Sequence, residues 1–397
     1  MTSTTDRGHT IDAHPPATTG TENVPAPGTS ARRIAFLTDN GHGLGHITRL
    51  MALARRLPPG YVSSFLTMSE SFGLVRQLGF AAEYFPSARK LRCGRPAWDH
   101  LMLERLADQF ETFRPSALVV DHVNPPVTLR ALHAAHPDVA FIWCRRGLWR
   151  DDRAIDALRL HDVFDLVIEP MDVASPVDQG PTVRFRRQCY VDPVTFLSAD
   201  ELVDRRSARH ALGLPVEGEV VLLQLSADDP AELHSLIAST RDAVRSIADI
   251  LLFAPLHVLH AHALDPVDGV HMRPVYPVSR YLGAFDAAIS TAGYNSFHEL
   301  IMAAIPTLFV ARDTDSLDHQ SLRAEVAHLA GAALHVERLG TDDTRREIAR
   351  LLDEGERARL RTAARVLYPG NGAADAVEAV VSLVEERLSP AESGAAS

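Results

Sequence analysis

Short apolar runs alternate with helical patterns along the chain, and this alternation limits the possible folds more than any other feature. An apolar run at 33–38 is followed by a glycine-rich segment and then by apolar residues at helical spacing up to position 57. The later apolar runs and helical patterns of the first half lie at 61–67, 70–78, 101–113, 117–121, 139–143 and 166–169. Strands and helices that alternate at this spacing form a parallel sheet with helices on both faces.

The same alternation begins again near position 220. A polar segment at 190–218, which contains Gly213-Leu214-Pro215, is typical of a linker with a short helix. Further strand and helix candidates lie at 220–225, 231–247, 250–253, 287–290, 296–304, 307–310, 344–365 and 373–387. We therefore predict an α/β protein with two Rossmann-like, doubly wound parallel-sheet domains, 31–195 and 196–388, that face each other across a ligand-binding cleft. Residues 1–30 and 389–397 are predicted to be disordered tails.

Composition excludes several classes of function. The 397 residues carry a formal net charge of −11, so we expect no general binding of nucleic acid. Three scattered cysteines, Cys93, Cys144 and Cys189, do not make a disulfide framework or a structural zinc site. The single lysine, Lys90, has no phosphate-loop context, and no serine-hydrolase elbow is present. Without a signal peptide or a long apolar run, we expect a cytoplasmic protein with at most peripheral contact with the inner membrane face.

The first glycine-rich segment ends in a histidine. Gly45 and the glycines before it let backbone amides approach a ligand at the start of the next helix, where the dipole favours negative charge. His46 comes next, and a neutral imidazole can take a proton from a hydroxyl group. Asp121 ends a strand of the same predicted sheet and could fix the tautomer of His46. The sequence therefore predicts a general base and its carboxylate partner at this edge.

Simpler interpretations of this segment stay open. A dinucleotide-binding fingerprint would have glycine where this chain has His46, which counts against a Rossmann cofactor site. The segment could be a tight turn without a ligand, and Asp121 could cap a helix or stabilise a loop.

A second segment, 285–300, combines a strand, a loop of small residues and a helix. Gly293, Asn295 and Ser296 offer amide and hydroxyl donors to a phosphate group. Glu299, one turn into the helix, could accept hydrogen bonds from a ribose diol, or it could be a capping or solvated acid. The strand at 307–310 is followed by a loop that alone would be typical of solvated surface, with Asp313, Asp315, Asp318 and Gln320.

A cluster of three histidines is the one candidate metal site in the sequence. His257, His260 and His262 have spacing that could ligate zinc, but the segment is typical of a loop and no nearby acid or cysteine completes a ligand set. We therefore predict no metal and no resident cofactor.

Together, these segments resemble the two-domain GT-B glycosyltransferases, in particular the family of the peptidoglycan N-acetylglucosaminyltransferase that forms lipid II. The resemblance covers roughly 33–385 and is most specific at 43–47, at 290–306 and at 318–320. It implies a nucleotide-sugar site in the C-terminal domain, where the turn at Gly293 meets the diphosphate and Glu299 takes the ribose hydroxyls.

The resemblance also implies contacts for the rest of the donor. The backbone near Val275 would meet uracil, and Asp318 and Gln320 would hold the hydroxyls of the donor sugar. Plant-type transferases of this fold use a histidine and an aspartate placed like His46 and Asp121, which implies the same pair here.

Two positions differ from the family pattern. Arg49 stands where the family usually has proline, and similar nucleotide-sugar hydrolases also have an arginine there. This arginine could bind an anionic acceptor or a phosphate, or it could merely cap its helix. The loop after the strand at 220–225 contains Ser226-Ala227-Asp228-Asp229 instead of paired glycines, and its acids would repel a diphosphate. Ser226 is kept as a candidate donor contact.

The sequence thus predicts an inverting, metal-independent glycosyltransferase that moves a sugar from a UDP-linked donor to an acceptor hydroxyl. A nucleotide-sugar hydrolase, a 2-epimerase of the same fold and a non-catalytic sugar-nucleotide-binding protein are the alternatives. An anionic or lipid-linked acceptor is suggested by basic residues in two loops, at Arg89, Lys90, Arg92, Arg95, Arg145, Arg146 and Arg150.

Overall fold

The computed structural model describes residues 31–39, 44–151, 155–185, 188–227, 229–256, 264–312 and 317–389. The strands of the first sheet are β1 Arg32–Thr38, β2 Tyr61–Thr67, β3 Ala81–Tyr84, β4 Ala117–Asp121, β5 Ala140–Cys144, β6 Leu166–Pro170 and β7 Gln188–Val191. Their order across the sheet is β3-β2-β1-β4-β5-β6-β7, and every pair is parallel. The helices of this part are α1 Gly45–Ala54, α2 Phe72–Gln77, α3 Ala88–Leu91, α4 Arg95–Phe113 and α5 Leu129–Ala135.

The second sheet repeats this design. Its strands are β8 Val220–Gln224, β9 Leu251–Leu256, β10 Val270–Pro274, β11 Ala287–Thr291, β12 Thr307–Val310 and β13 Leu334–Val336. They lie in the parallel order β10-β9-β8-β11-β12-β13. The helices are α6 Arg205–Leu212, α7 Pro230–Arg245, α8 Tyr294–Met302, α9 Gln320–Leu329, α10 Asp342–Leu352, α11 Glu354–Leu367 and α12 Ala373–Leu388. The predicted α/β class with two parallel doubly wound sheets is confirmed.

Apolar side chains cover both faces of each central strand. On β1, Ile34 and Phe36 belong to one buried cluster, whereas Ala35 and Leu37 belong to the cluster on the opposite face. Successive side chains of a strand point to opposite faces, so a strand buried on both sides needs an unbroken apolar run. This is why the central strands were visible in the sequence.

Short edge strands were not predicted. β3, β10 and β13 lie at sheet edges, and β7, at the edge of the first sheet, overlaps the start of the predicted linker. An edge strand buries fewer side chains and tolerates polar residues, as the sequence Ala-Ala-Glu-Tyr of β3 shows. Such segments carry a weak apolar signal.

The last helix packs on the first sheet. Val377, Val380 and Val384 of α12 lie in the same buried cluster as Leu50 and Leu53 of α1. Arg32 at the start of β1 also binds Glu385 of α12 over 2.7 Å. The predicted range 196–388 therefore ends in a helix that covers the N-terminal domain, because an apolar helix face does not specify which sheet it covers.

Two loops also join the domains. Trp149 pairs with Asp318 in an isolated antiparallel bridge. The His319 amide donates to the Leu148 carbonyl, and the Arg150 amide donates to the Leu317 carbonyl, each over 3.0 Å. The loop after β5 and the segment before α9 are therefore held side by side.

The helices of the described segments are all too short or too polar to cross a bilayer.

A pair of valine substitutions tests the docking of α12. Val380 is 2% exposed and Val366 of α11 is 84% exposed. Val380→Ala is expected to lower the free energy of unfolding by about 1–3 kcal/mol, because it removes buried methyl groups and leaves a cavity. Val366→Ala is the matched control and should change it by less than about 0.5 kcal/mol. Urea denaturation measures both, and equal effects would contradict the packing of α12 described here.

Candidate active site

The carboxyl ends of the two sheets border a common cleft of about 290 Å³. Parallel strands place the loops that follow them at one edge, so residues from distant positions meet there. The predicted site residues that line this cleft are Gly45, His46, Arg49, Gly293, Asn295, Ser296 and Glu299. The two motifs singled out in the sequence therefore form opposite walls of one cleft.

His46 is held by a carboxylate on the N-terminal wall. It is the second residue of α1, and Asp121 is the last residue of β4, which neighbours β1. His46 Nδ1 lies 2.6 Å from Asp121 Oδ1. Since a carboxylate only accepts, this bond places the proton of a neutral imidazole on Nδ1 and the lone pair on Nε2. The imidazole is oriented in the form that can accept a proton.

Arg49 occupies the second side of the same carboxylate. Its Nε donates to Asp121 Oδ2 over 2.8 Å, and its Nη2 donates to Oδ1 over 2.9 Å. Burial alone would raise the pKa of Asp121, but the charge of Arg49 and the hydrogen bonds from His46 and Arg49 outweigh burial and lower it to about 2. Arg49, a candidate for acceptor or phosphate binding, thus directs its Nε and Nη2 donors at Asp121.

The N-terminus of α8 forms the opposite wall. Gly293 is its N-cap, and the first helical backbone bond runs from the Phe297 amide to the Gly293 carbonyl over 2.9 Å. The amides of 294–296 precede this bond and so have no acceptor within the helix. Amides at a helix start, together with the helix dipole, bind anions such as phosphate.

Polar side chains connect this wall to its surroundings. Asn295 Nδ2 donates to the Gly45 carbonyl over 3.2 Å, which joins the two walls directly. Gln224, the last residue of β8, donates to Ser296 Oγ over 3.0 Å. The hydroxyl groups of Thr48 and Tyr276 lie 2.7 Å apart across the domain boundary.

Glu299 is a buried carboxyl group in the cleft wall. It lies one turn into α8 and is 8% exposed. Burial raises its pKa to about 7. A carboxylate in such a place is stabilised by any ligand that donates hydrogen bonds to it.

The structure does not bring the other predicted donor contacts to the described cleft wall. Ser226 is exposed, and its hydroxyl group lies 2.9 Å from that of Thr291. Val275 packs against the core of the second domain, while the three residues after it line the cleft. Gln320 is the first residue of α9.

Asp318 is buried in an ion network. Its Oδ2 accepts from Arg146 over 2.9 Å and from Arg323 over 2.6 Å. Arg323 also donates to Asp172 over 2.6 Å. The carboxylate predicted to hold the donor sugar therefore joins the two domains in this structure.

The basic residues predicted for acceptor binding are dispersed. Arg146 lines the cleft, whereas Arg145 is buried and bound to Glu169 over 2.7 Å. Lys90 contacts Glu70 and Arg95 contacts Asp99. Exposed Arg89 and Arg92 lie in and just after α3, and Arg150 follows the bridged loop.

Sequence reasoning missed four lining residues with polar side chains, Thr48, Gln224, Tyr276 and Tyr294. The sequence carried a signal for two of these four residues: Gln224 ends a strand, and Tyr294 lies between two selected residues. Some candidates from the sequence lie outside the described residues. They are the two glycines that precede Gly45 in the glycine-rich segment, the histidines of 257–262, Asp228, Asp313 and Asp315. Within the described ranges, no group of three or more histidine, cysteine or acidic side chains has a metal-binding arrangement.

Comparison with known proteins shows both sequence and fold similarity. No family model matches the chain. Two curated UDP-N-acetylglucosamine--N-acetylmuramyl-(pentapeptide) pyrophosphoryl-undecaprenol N-acetylglucosamine transferases, from Synechococcus elongatus and from Synechococcus sp., are each 29% identical over 135 residues. The matched segment is 32% of this chain and 36% and 35% of the two relatives, so it spans about a third of their length.

Solved glycosyltransferase structures match most of the chain. The spinosyn forosaminyltransferase SpnP covers 90% of it with a TM-score of 0.62 and 17% identity, and the match spans 100% of SpnP. Glycosyltransferase VinC in complex with dTDP covers 89% of the chain with a TM-score of 0.60 and 16% identity, and the match spans 100% of VinC. Acinetobacter baumannii MurG covers 89% of the chain with a TM-score of 0.55 and 15% identity, and the match spans 99% of that protein. The predicted GT-B fold and the predicted family resemblance are confirmed.

Glu299 gives a pH-dependent prediction. Its folded pKa of about 7 lies above the ordinary value of 4.5, so its ionisation opposes folding as the pH rises toward and through 7. Glu299→Gln mimics the neutral form. Relative to this variant, the wild-type protein should lose stability on the order of 1–3 kcal/mol between pH 5 and pH 8. Urea denaturation at four pH values measures this difference, and a difference that does not change with pH would contradict the assignment.

Proposed function

We propose that this chain is an inverting, metal-independent glycosyltransferase that moves a sugar from a UDP-linked donor to an acceptor hydroxyl. The observation that carries the proposal is the cleft itself. An imidazole oriented by a carboxylate lies on one wall, and the amides at the start of α8 lie on the other. The sequence match to transferases that are named for UDP-N-acetylglucosamine supports the donor class.

The donor binds to the C-terminal wall. The amides of 294–296 receive the diphosphate, because they are the helix donors without helical acceptors. Glu299 accepts hydrogen bonds from the ribose hydroxyls, which favour its charged form. The segment 276–278, which lines the cleft beside Glu299, meets the base.

The acceptor reacts on the N-terminal wall. His46 Nε2 takes the proton of the acceptor hydroxyl, and the electron pair that this leaves on the acceptor oxygen attacks the anomeric carbon of the donor sugar. The bond from that carbon to the phosphate oxygen breaks, and the nucleoside diphosphate leaves with the electron pair. A single displacement of this kind inverts the configuration. Asp121 stabilises the imidazolium that forms, and the amides of α8 stabilise the charge on the leaving group.

Arg49 keeps this arrangement in place. A bidentate guanidinium fixes both oxygens of Asp121, so the carboxylate cannot rotate away from His46. Arg49 therefore acts as a positioning residue in the proposed mechanism.

Location and acceptor complete the proposal. The reaction takes place in the cytoplasm, with peripheral contact at the inner membrane face where the acceptor is lipid-linked. The curated relatives carry a pyrophosphoryl-undecaprenol acceptor in their names, which makes an anionic, lipid-linked molecule the first acceptor to test.

Positive charge for the leaving group comes from the helix terminus, so chelation of divalent ions with EDTA is expected to leave activity unchanged.

Replacing the base tests the proposed mechanism. Purified protein is incubated with UDP-sugars and dTDP-sugars, with and without acceptor pools that include undecaprenyl-linked glycans. Release of the nucleoside diphosphate and the configuration of the product are measured. The wild-type protein is expected to release diphosphate only when an acceptor is present. His46→Ala should slow transfer by about 10²–10⁴-fold and keep the donor Kd within about twofold, because the base acts in the chemical step.

His210→Ala is the matched control, since His210 is exposed on α6 and away from the cleft. It should transfer at the wild-type rate. Release of diphosphate without acceptor would instead indicate hydrolysis, and a changed donor sugar would indicate epimerisation. Binding without any turnover would indicate a sugar-nucleotide-binding protein, and full activity of His46→Ala would contradict the role of His46.

A further inference from the structure

Arg146 is a guanidinium group in the cleft that retains donors for a ligand. It lies on the loop after β5, and its Nη1 donates to Asp318 Oδ2 over 2.9 Å. Within the described ranges, Asp318 is the one hydrogen-bond acceptor that Arg146 contacts. A guanidinium has five N–H donors, and the side chain of Arg146 is 16% exposed in the cleft wall. Several of its donors are therefore available there.

The two neighbouring guanidinium groups are committed to protein carboxylates. Arg49 donates to both oxygens of Asp121, and its side chain is 2% exposed. Arg323 donates to Asp172 and to Asp318, and its side chain is 1% exposed. Arg146 differs from both because its one acceptor within the described residues is a shared carboxylate, and because its side chain is more exposed than theirs.

Positive charge is concentrated around one aromatic ring. The guanidinium carbons of Arg49, Arg146 and Arg323 lie 5.4, 5.5 and 5.6 Å from the centre of the Tyr294 ring. Burial lowers the pKa of Arg146, and repulsion from Arg49 and Arg323 acts in the same direction, while Asp318 opposes it. An anion in the cleft would supply the missing compensation.

The position of Arg146 identifies the anion. Arg146 lines the same cleft as residues 293–296, whose amides form the proposed diphosphate site, and it lies against the ring of Tyr294, the first residue of α8. The loop after β8 contains an exposed Ser226 and the exposed acid Asp229, neither of which lines the cleft, instead of the paired glycines of a phosphate cradle. Donors from the other domain are thus needed to bind the charge that this loop cannot hold.

We propose that Arg146 binds the donor diphosphate from the domain opposite α8, at the phosphate that carries the sugar. This inference rests on the proposed function and adds a charged contact to its donor site. The sugar must lie toward His46 on the N-terminal wall, so the phosphate attached to it is the one nearest Arg146. Negative charge develops on this phosphate as the sugar leaves, and Arg146 stabilises it there.

Isothermal titration calorimetry with three probes tests the inference. The probes are inorganic pyrophosphate, UDP and uridine, and the proteins are wild type, Arg146→Gln and Arg146→Lys. Arg146→Gln is expected to weaken binding of pyrophosphate and UDP about tenfold or more, because a hydrogen bond to a charged group is lost, and to leave uridine binding unchanged. Arg146→Lys keeps the charge and should give an intermediate loss.

Arg365→Gln is the matched control, since Arg365 is exposed on α11 and remote from the cleft. It should bind all three probes like the wild type. Circular dichroism confirms that Arg146→Gln is folded, and Asp318 keeps Arg323 as a partner in that variant. Equal pyrophosphate and UDP affinities in Arg146→Gln and wild type, or no pyrophosphate binding by the wild type, would overturn the inference.

The uridine arm separates this inference from the proposed function. Uridine and UDP that bind without any effect of Arg146→Gln would support the donor site and overturn the role of Arg146. Pyrophosphate that binds through Arg146, with no binding of uridine or UDP, would support the anion site and contradict a UDP-linked donor.

Discussion

A buried carboxylate at the end of β4 organises the N-terminal wall of the cleft. Asp121 accepts hydrogen bonds from His46 and from Nε and Nη2 of Arg49, and its pKa of about 2 keeps it charged at any ordinary pH. A buried charge is tolerated only with partners, so each member of this group needs the others. The orientation of His46, on which the proposed chemistry depends, is thereby set by charge pairing as well as by backbone position.

Charged side chains from both domains meet at the cleft. Tyr294, at the start of α8, packs against guanidinium groups from α1, from the loop after β5 and from α9. Asp318 binds Arg146 of one domain and Arg323 of the other, and the bridge between Trp149 and Asp318 holds the two loops together. A change in the angle between the domains would therefore alter the contacts of this site.

The sequence was sufficient to predict the architecture and the two facing motifs. Central strands buried on both faces require unbroken apolar runs, and parallel strands bring their carboxyl ends to one edge, so His46 and Asp121 were expected together. Long-range partners were beyond its reach. Asp318 binds an arginine 172 positions away, which no local pattern encodes. The packing of α12 on the first sheet and the outward position of Ser226 likewise depend on tertiary contacts that periodicity does not describe.

A crystal structure of the protein with bound UDP tests the central claim most directly. We expect the diphosphate at the amides of 294–296, the ribose hydroxyls within hydrogen-bond distance of Glu299, and His46 Nε2 facing the end of the diphosphate where the sugar would be attached. A nucleotide bound elsewhere, or an imidazole turned away from that phosphate, would contradict the proposed mechanism.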